Sequence, residues 1–309
     1  MKILVLGAGA TGGYYGGRLA ASGADVTFLV REKRFAQLQR DGIQIKSPFG
    51  DASIPIKCVT RETLRDMYDF IILSCKSYDL DSAIKATTPA LSSTSLVLPL
   101  LNGMRHLDTL DAAFTTQRVL GGMCHLSVTM ADDGVIHHLN NLHLLTYGPR
   151  QESQTAACAA FLPILQRANF ATKLSTNVIA DMWGKWVLLA SLAGMTCLMR
   201  ASVGEIAASS DGKSLMLALI DECASAASAN GAEPSSQALA QIRTLLTDPQ
   251  SAVVASMLRD MQRGANVEGD HIIGDMLARA KAAQVAAPLL AIAYANLQVY
   301  QNRLASRAV

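Results

Sequence analysis

Apolar positions along the chain follow two different periods, and the change falls near residue 175. Before it, short apolar or β-branched runs alternate with stretches suited to helices. Residues 2–6 predict a strand, residues 14–22 a helix and residues 25–30 a second buried strand. Gly23 stands where the C-terminus of that helix favours a left-handed residue. Residues 43–45 and 54–59 are strand-like, and Pro55 places the latter at a sheet edge because it has no N–H for a ladder. The runs 69–74 and 95–100 are compact and apolar, as central parallel strands are, and 118–123 is another. Residues 127–130, the turn Asp132-Asp133-Gly134 and residues 135–139 predict a hairpin, with a third strand at 143–147. Antiparallel strands of this kind are often appended to a parallel sheet.

From residue 177 onward Ala, Leu and Met dominate with helical spacing. Gly231 and Pro234, Asp248-Pro249 and Pro288 punctuate this half into several helices. The expectation is two domains, an α/β domain over residues 1–175 and an all-helical domain over residues 176–309. Domain pairs of this kind leave a cleft, a preferred place for a small ligand.

The sharpest local signal is Gly7-Ala8-Gly9-Ala10-Thr11-Gly12, set directly between the first strand and the first helix. In a strand–turn–helix of this type the first glycine permits a tight turn. The second lets a pyrophosphate approach the backbone, and the third lets helix pack closely on strand. The phosphate then rests at the helix N-terminus, where open N–H groups favour an anion. The alternative is a glycine-rich turn that binds nothing. Arg31 closes the second strand, where an NAD site carries an acid for the ribose hydroxyl and an NADP site needs a cation for the 2′-phosphate. Glu32 offers the acid if the strand runs one residue further, but Arg31, Lys33 and Arg34 outnumber it. NADP(H) is the expected cofactor.

Composition narrows the function classes. A chain of 309 residues suits two domains with real cores. A net charge of +2 gives no electrostatic argument for nucleic acid or an anionic membrane. The six cysteines (Cys58, Cys75, Cys124, Cys158, Cys197 and Cys223) form no C-x-x-C pair and read as free thiols of a reducing compartment. His137-His138 and His143 lie in strand-like sequence without metal spacing, so no metal is expected. The apolar stretch after Lys2 is too short for a signal peptide. The uncharged apolar stretch at residues 186–199 falls short of the roughly 20 residues a membrane span needs. A soluble cytoplasmic protein without a membrane or nucleic-acid partner is expected, and the apolar helical half would suit a homodimer.

Four places carry candidate chemistry. Lys185 is the only charge between Met182 and Met199. It is either an exposed lysine paired one turn away with Asp181, or a partly buried one, its pKa lowered, that donates a proton to a carbonyl oxygen. If residues 267–281 are helical, Ile272, Ile273, Met276, Leu277 and Ala280 form the apolar stripe, Glu268 lies on its border and His271 nearly opposite it. A carboxylate on such a flank is ordinarily solvated. Asn102-Gly103-Met104 and Lys76 each follow an apolar strand, at the carboxyl edge where open α/β sheets place ligands. Their bland readings are a turn-forming Asn-Gly and a solvated lysine.

Taken in order, Gly7-Ala8-Gly9 through Gly12, Arg31, Lys76, Asn102-Gly103-Met104, Trp183-Gly184-Lys185, Ser256-Met257 and Glu268 resemble the ketopantoate reductase (2-dehydropantoate 2-reductase) family over nearly the whole chain. The resemblance implies an N-terminal Rossmann-type dinucleotide-binding domain and a C-terminal helical domain of the 6-phosphogluconate-dehydrogenase-like kind. It implies NADPH-dependent reduction of ketopantoate to pantoate, a step of pantothenate biosynthesis. Lys185 would be the general acid, with Asn102 positioning cofactor, lysine and substrate. Glu268 would bind a substrate hydroxyl, and Ser256 would help hold the carboxylate. Residues 7–12 (Gly7, Ala8, Gly9, Ala10, Thr11, Gly12), Arg31, Lys76 and Asn102 would contact the dinucleotide.

One departure bears on the substrate. Where that family carries asparagines one and two turns after the lysine, this chain has Leu189 and Ala193, and Gly194 replaces a frequent proline. Losing two amides removes hydrogen bonds from a pocket wall and shifts substrate preference. Arg105 would supply either a new carboxylate contact or a surface charge. The alternatives are a related NADP-dependent dehydrogenase for another substrate, such as a 3-hydroxy acid or an opine, and a non-catalytic NADP(H) sensor.

Overall fold

The computed structural model describes residues 1–307, which form two compact units. The first comprises Met1–Leu101 and His106–Val178; the second comprises Asn102–Arg105 and the chain from Ile179 onward.

In the first unit, β1 (Lys2–Leu6) is followed by α1 (Ala10–Ala21), β2 (Asp25–Leu29) and α2 (Glu32–Asp41). Next come β3 (Ile43–Lys46), β4 (Ala52–Ile54), β5 (Lys57–Val59), β6 (Tyr68–Leu73), α3 (Leu80–Thr87) and β7 (Leu91–Pro99). α4 (Arg105–Phe114), β8 (Gly121–Met130), β9 (Ile136–Gly148), α5 (Thr155–Arg167) and β10 (Ala171–Leu174) complete it. Five strands make a wholly parallel sheet in the order β5-β2-β1-β6-β7. Ile3, Leu4 and Val5 of β1 and Ile71, Ile72 and Leu73 of β6 are fully buried, which explains their unbroken apolar sequence. The strand order reverses at β1, whose two neighbours continue the chain in opposite directions across the sheet. Such a switch point opens a crevice beyond the carboxyl ends of the strands.

The second sheet differs from the expectation in three places. Residues 54–59 are two strands, not one. β4 pairs with β3, whereas β5 pairs with β2 in the parallel sheet. Pro55 lies between them and has no N–H to continue either ladder, so the chain changes sheets there. The stretches 118–123 and 127–130 merge into β8, apart from residues 118–120, where Val119 forms only an isolated bridge to Val97. The stretches 135–139 and 143–147 likewise merge into β9. β9 is 13 residues long, and β8 pairs antiparallel along it. β3 joins it at Ile136 and His137, and β10 at residues 144–147. Asn140, Asn141 and His143 are accommodated because residues 139–144 are all half-buried or exposed.

The second unit is helical: α6 (Val178–Met199), α7 (Val203–Ala207), α8 (Gly212–Ala229), α9 (Ser236–Leu246), α10 (Ser256–Gln262), α11 (Asp275–Ala282) and α12 (Pro288–Arg307). A π-helical turn, Asp270–Gly274, runs directly into α11. α6 is long and apolar enough to span a membrane by composition, but 61% of its most apolar window is buried, and Trp186, Val187, Ala190 and Cys197 are core residues. Helix ends are set by chemistry visible in the chain. Ser202 and Glu205 form a capping box on α7. Pro288 opens α12, whose Leu289 and Leu290 N–H groups donate to the Glu222 carboxylate at 3.0 and 2.9 Å.

All six cysteines are free thiols. Burial pushes Cys158 up to about 11 and Cys197 and Cys223 up to about 12, so these three remain protonated at neutral pH.

In the first unit Arg150 grips Asp111 of α4 with two hydrogen bonds of 2.7 Å, the side chains 12% and 23% exposed. Asp111→Asn leaves a largely buried guanidinium without its counter-charge. The expected loss is about 2 kcal/mol in urea unfolding, less than the roughly 3–5 kcal/mol of a fully buried pair. A loss below about 0.5 kcal/mol would mean that solvent already screens the pair.

Candidate functional site

The turn after β1 has the geometry its glycines predict. Gly7 has φ +87°, a left-handed conformation that side chains disfavour. A Cβ on Gly12 would collide with Ser74 Oγ and the Gly7 carbonyl, so α1 owes its close approach to the missing side chain. Gly9 is the opposite case. A Cβ there would meet no protein atom within 4 Å, so the protein itself places no demand for glycine at this position. Gly9 is the N-cap of α1, whose first turn carries no acid and no side-chain cap. Open N–H groups and an approachable backbone suit a phosphate, and the cradle fits a dinucleotide.

The cations near the turn divide into two kinds. Arg31 is the N-cap of α2 and is exposed, its guanidinium 3.0 Å from Asp79. Lys76, half-buried, caps the short 3₁₀ turn Ser77–Asp79 that carries this aspartate. Arg34, counted by the sequence among the cofactor cations, turns inward instead. Its Nε donates to the Ala8 carbonyl at 3.1 Å, and its other nitrogens bond Gln37 at 2.6 Å and the Gly134 carbonyl at 3.4 Å. Arg34 thereby braces the glycine turn against α2 and the hairpin tip. Ser74, which donates to the Leu6 carbonyl at 3.0 Å, braces it from β6. Neither role is readable from spacing, because both depend on residues brought together by the sheet.

The second unit holds the candidate proton donor. Lys185 is half-buried on α6, and its ammonium donates to Asn102 Oδ1 at 2.9 Å. The structure thus brings this lysine to the Asn-Gly turn. Gly103, with φ +77°, lets the turn press against His271; a Cβ would lie 3.1 Å from the His271 carbonyl and 3.3 Å from its ring. The His271 ring is hydrogen-bonded to the Asn102 backbone and feels the charges of Glu268, Asp275 and Arg105. Burial holds its pKa below the ordinary histidine value and outweighs the upward pull of the two carboxylates. Trp186, next to the lysine, donates its indole N–H to the Ile272 carbonyl at 3.0 Å.

This corrects the expectation for His271, which is 7% exposed and not turned away from the apolar stripe. Residues 267–281 are not one α-helix. The π-helical turn inserts a residue, rotating His271 inward with Ile272 and Ile273, and Gly274 makes room for the Tyr294 ring. Glu268, half-buried, lies two residues before this turn, and its carbonyl accepts the Ile272 N–H at 2.9 Å. Ser256 opens α10 and is exposed. Leu189 is half-buried one turn beyond Lys185, with Leu188 and Leu192 half-buried on the same face, while Ala193 is buried. Arg105 is exposed at the start of α4. Among the described residues, no three His, Cys, Asp or Glu side chains are placed to hold a metal.

Family models match both halves of the chain. The family model for ketopantoate reductase PanE/ApbA matches residues 3–152, and the model for its C-terminal part matches residues 177–301. An uncharacterized oxidoreductase, YkpB, of Bacillus subtilis (strain 168) is 36% identical over 304 residues, covering 97% of this chain and 99% of that one. The crystal structure of a PanE/ApbA family ketopantoate reductase from Ralstonia eutropha JMP134 superposes with a TM-score of 0.88 at 26% identity, over 98% and 99% of the two chains. A D-mandelate dehydrogenase with NADH and anilino(oxo)acetate shares the fold, with a TM-score of 0.89 at 20% identity over 98% and 99%.

Gly9 and Gly12 make separable predictions. Gly9→Ala meets no protein atom, so its melting temperature should match that of the wild type while dinucleotide affinity, read by fluorescence titration, falls about tenfold or more. Gly12→Ala should lower the melting temperature as well. Unchanged affinity in Gly9→Ala would exclude close backbone approach of a phosphate at this turn.

Proposed function

The chain belongs to the ketopantoate reductase PanE/ApbA family, and from that premise we propose that it reduces a small 2-oxo acid to the 2-hydroxy acid with NADPH. A reduced nicotinamide supplies the hydride that goes to the carbonyl carbon, and the carbonyl oxygen takes a proton from the Lys185 ammonium. The balance is 2-oxo acid, NADPH and a proton to 2-hydroxy acid and NADP⁺. The observation that carries the reading is the 2.9 Å hydrogen bond from Lys185 to Asn102, which aims an ammonium from a half-buried helix face.

The remaining residues take parts that their position or the resemblance suggests. Gly7, Ala8, Gly9, Ala10, Thr11 and Gly12 cradle the pyrophosphate, as the open space at Gly9 allows. Arg31, exposed at the start of α2, takes the 2′-phosphate, and Lys76 adds a second cation. Glu268 and Ser256 contact the substrate's hydroxyl and carboxylate, as the resemblance implies. The site of action is the cytoplasm.

Ketopantoate is the first substrate to consider, because the family is described by it. A second reading is a 2-oxo acid with a hydrocarbon side chain. It is favoured by Leu188, Leu189 and Leu192, which are half-buried on the lysine's face of α6 and offer no hydrogen bond. A wall built for a polar group discriminates strongly, whereas an apolar wall gains from burying methyl groups.

Two measurements test this. Lys185→Ala should lower kcat by about 10²–10⁴-fold while leaving NADPH affinity within about twofold, the pattern of a lost general acid. An active variant would remove Lys185 from the mechanism. Loss of NADPH absorbance with ketopantoate and with branched hydrocarbon 2-oxo acids ranks the two substrate readings. Tight NADPH binding without turnover of any of them would indicate a sensor and sink the reductase reading.

A further inference from the structure

His271 has no place in the chemistry derived so far, yet it is buried beside the residue that holds Lys185. A buried polar ring is costly unless its hydrogen-bonding groups are satisfied. Here the ring is hydrogen-bonded to the Asn102 backbone. Asn102 in turn accepts from Lys185 through its side-chain oxygen at 2.9 Å. The contacts form a chain, from ring to peptide to amide to ammonium.

The surrounding structure is built to keep this chain taut. Gly103, at φ +77°, brings the Asn102 turn so near that a Cβ would sit 3.1–3.3 Å from His271 atoms. The π-helical turn Asp270–Gly274 turns the ring inward, whereas continuous α-helix from residue 267 would face it away from the stripe formed by Ile272, Ile273, Met276 and Leu277. Trp186, one residue after the lysine, bonds the carbonyl of Ile272, one residue after the histidine. α6 and the π-helical turn are thus held in register at adjacent positions on both sides. π-helical insertions recur at functional sites because they re-aim side chains.

We propose that His271 is a positioning residue, holding the Asn102 peptide so that the Asn102 side-chain oxygen keeps the Lys185 ammonium aimed for proton donation. The neutral ring does this at working pH; the charged groups it feels are Glu268 and Asp275, which favour its protonation, and Arg105, which opposes it. His271 itself neither donates nor accepts the transferred proton. The role rests on the reductase reading given above, and its structural half, the placement of Asn102, is testable without catalysis.

The experiment compares His271→Phe with His271→Gln. Glutamine keeps an N–H donor near the Asn102 carbonyl; phenylalanine fills the volume without one. His271→Phe should lower kcat about tenfold to hundredfold, the scale of a small misplacement of a reacting group. NADPH affinity and melting temperature should stay near wild type, and His271→Gln should recover most of the rate. The alkaline limb of the kcat profile, where the protonated lysine is required, should move to lower pH in His271→Phe, because the ammonium has lost its aimed acceptor. His271→Gln should restore it.

The Asn102 side-chain amide resonances, recorded without substrate, should shift in His271→Phe and return towards wild type in His271→Gln. Unshifted amide resonances, an unmoved alkaline limb, failure of glutamine to rescue, or a rate loss that only follows a fall in melting temperature would each overturn the proposal. If the wild-type protein turns over no 2-oxo acid, the reductase reading fails and the positioning role with it, whereas the amide shifts still report whether His271 holds Asn102.

Discussion

The hydrogen bond between the Lys185 ammonium and the Asn102 side-chain oxygen is the constraint around which the second unit is arranged. An ammonium on a helix as apolar as α6 needs an acceptor, and the Asn102 amide oxygen supplies one. A carboxylate at the same point would favour the charged form more strongly and make the proton harder to release. The four residues Asn102–Arg105 leave β7 and cluster with the helices, not with the sheet that precedes them. Gly103, His271 and Trp186 all contribute to that placement, through a close backbone approach, a ring hydrogen bond and an indole hydrogen bond. The glycine turn proposed to cradle the phosphates is built in the first unit, from a parallel sheet whose order reverses at β1.

Much of this was legible along the chain because it is local. The span from β1 through the glycine turn and α1 to β2 is one continuous stretch, and each glycine's part follows from backbone geometry. Gly7 adopts positive φ, Gly12 packs too tightly for a Cβ, and Gly9 faces open space. Lys185 and Asn102 were both candidates, but 83 residues separate them, and only the fold shows that they touch.

What was not legible depended on partners distant in sequence or on a break in helical period. Residues 54–59 read as one strand because alternation says nothing about which sheet a strand joins; the two pairings, to β3 and to β2, decide it. His271 was placed on the wrong face because periodicity assumes 3.6 residues per turn, and the π-helical turn breaks that assumption. Arg34 was read as a cofactor cation from its position beside Arg31, but its guanidinium is spent on the Ala8 and Gly134 carbonyls. That leaves Arg31 as the exposed arginine at the end of β2. The apolar face formed by Leu188, Leu189 and Leu192 was partly foreseen from the missing asparagine, and their half-burial leaves it partly accessible.

Chemical rescue tests the central assignment most directly. In a single turnover of Lys185→Ala loaded with NADPH and a 2-oxo acid, added ethylammonium should restore hydride transfer in proportion to its concentration, because a free ammonium replaces the missing proton donor. Ammonium-independent loss, or hydride transfer already as fast as in the wild type, would contradict the assignment of Lys185 as the acid.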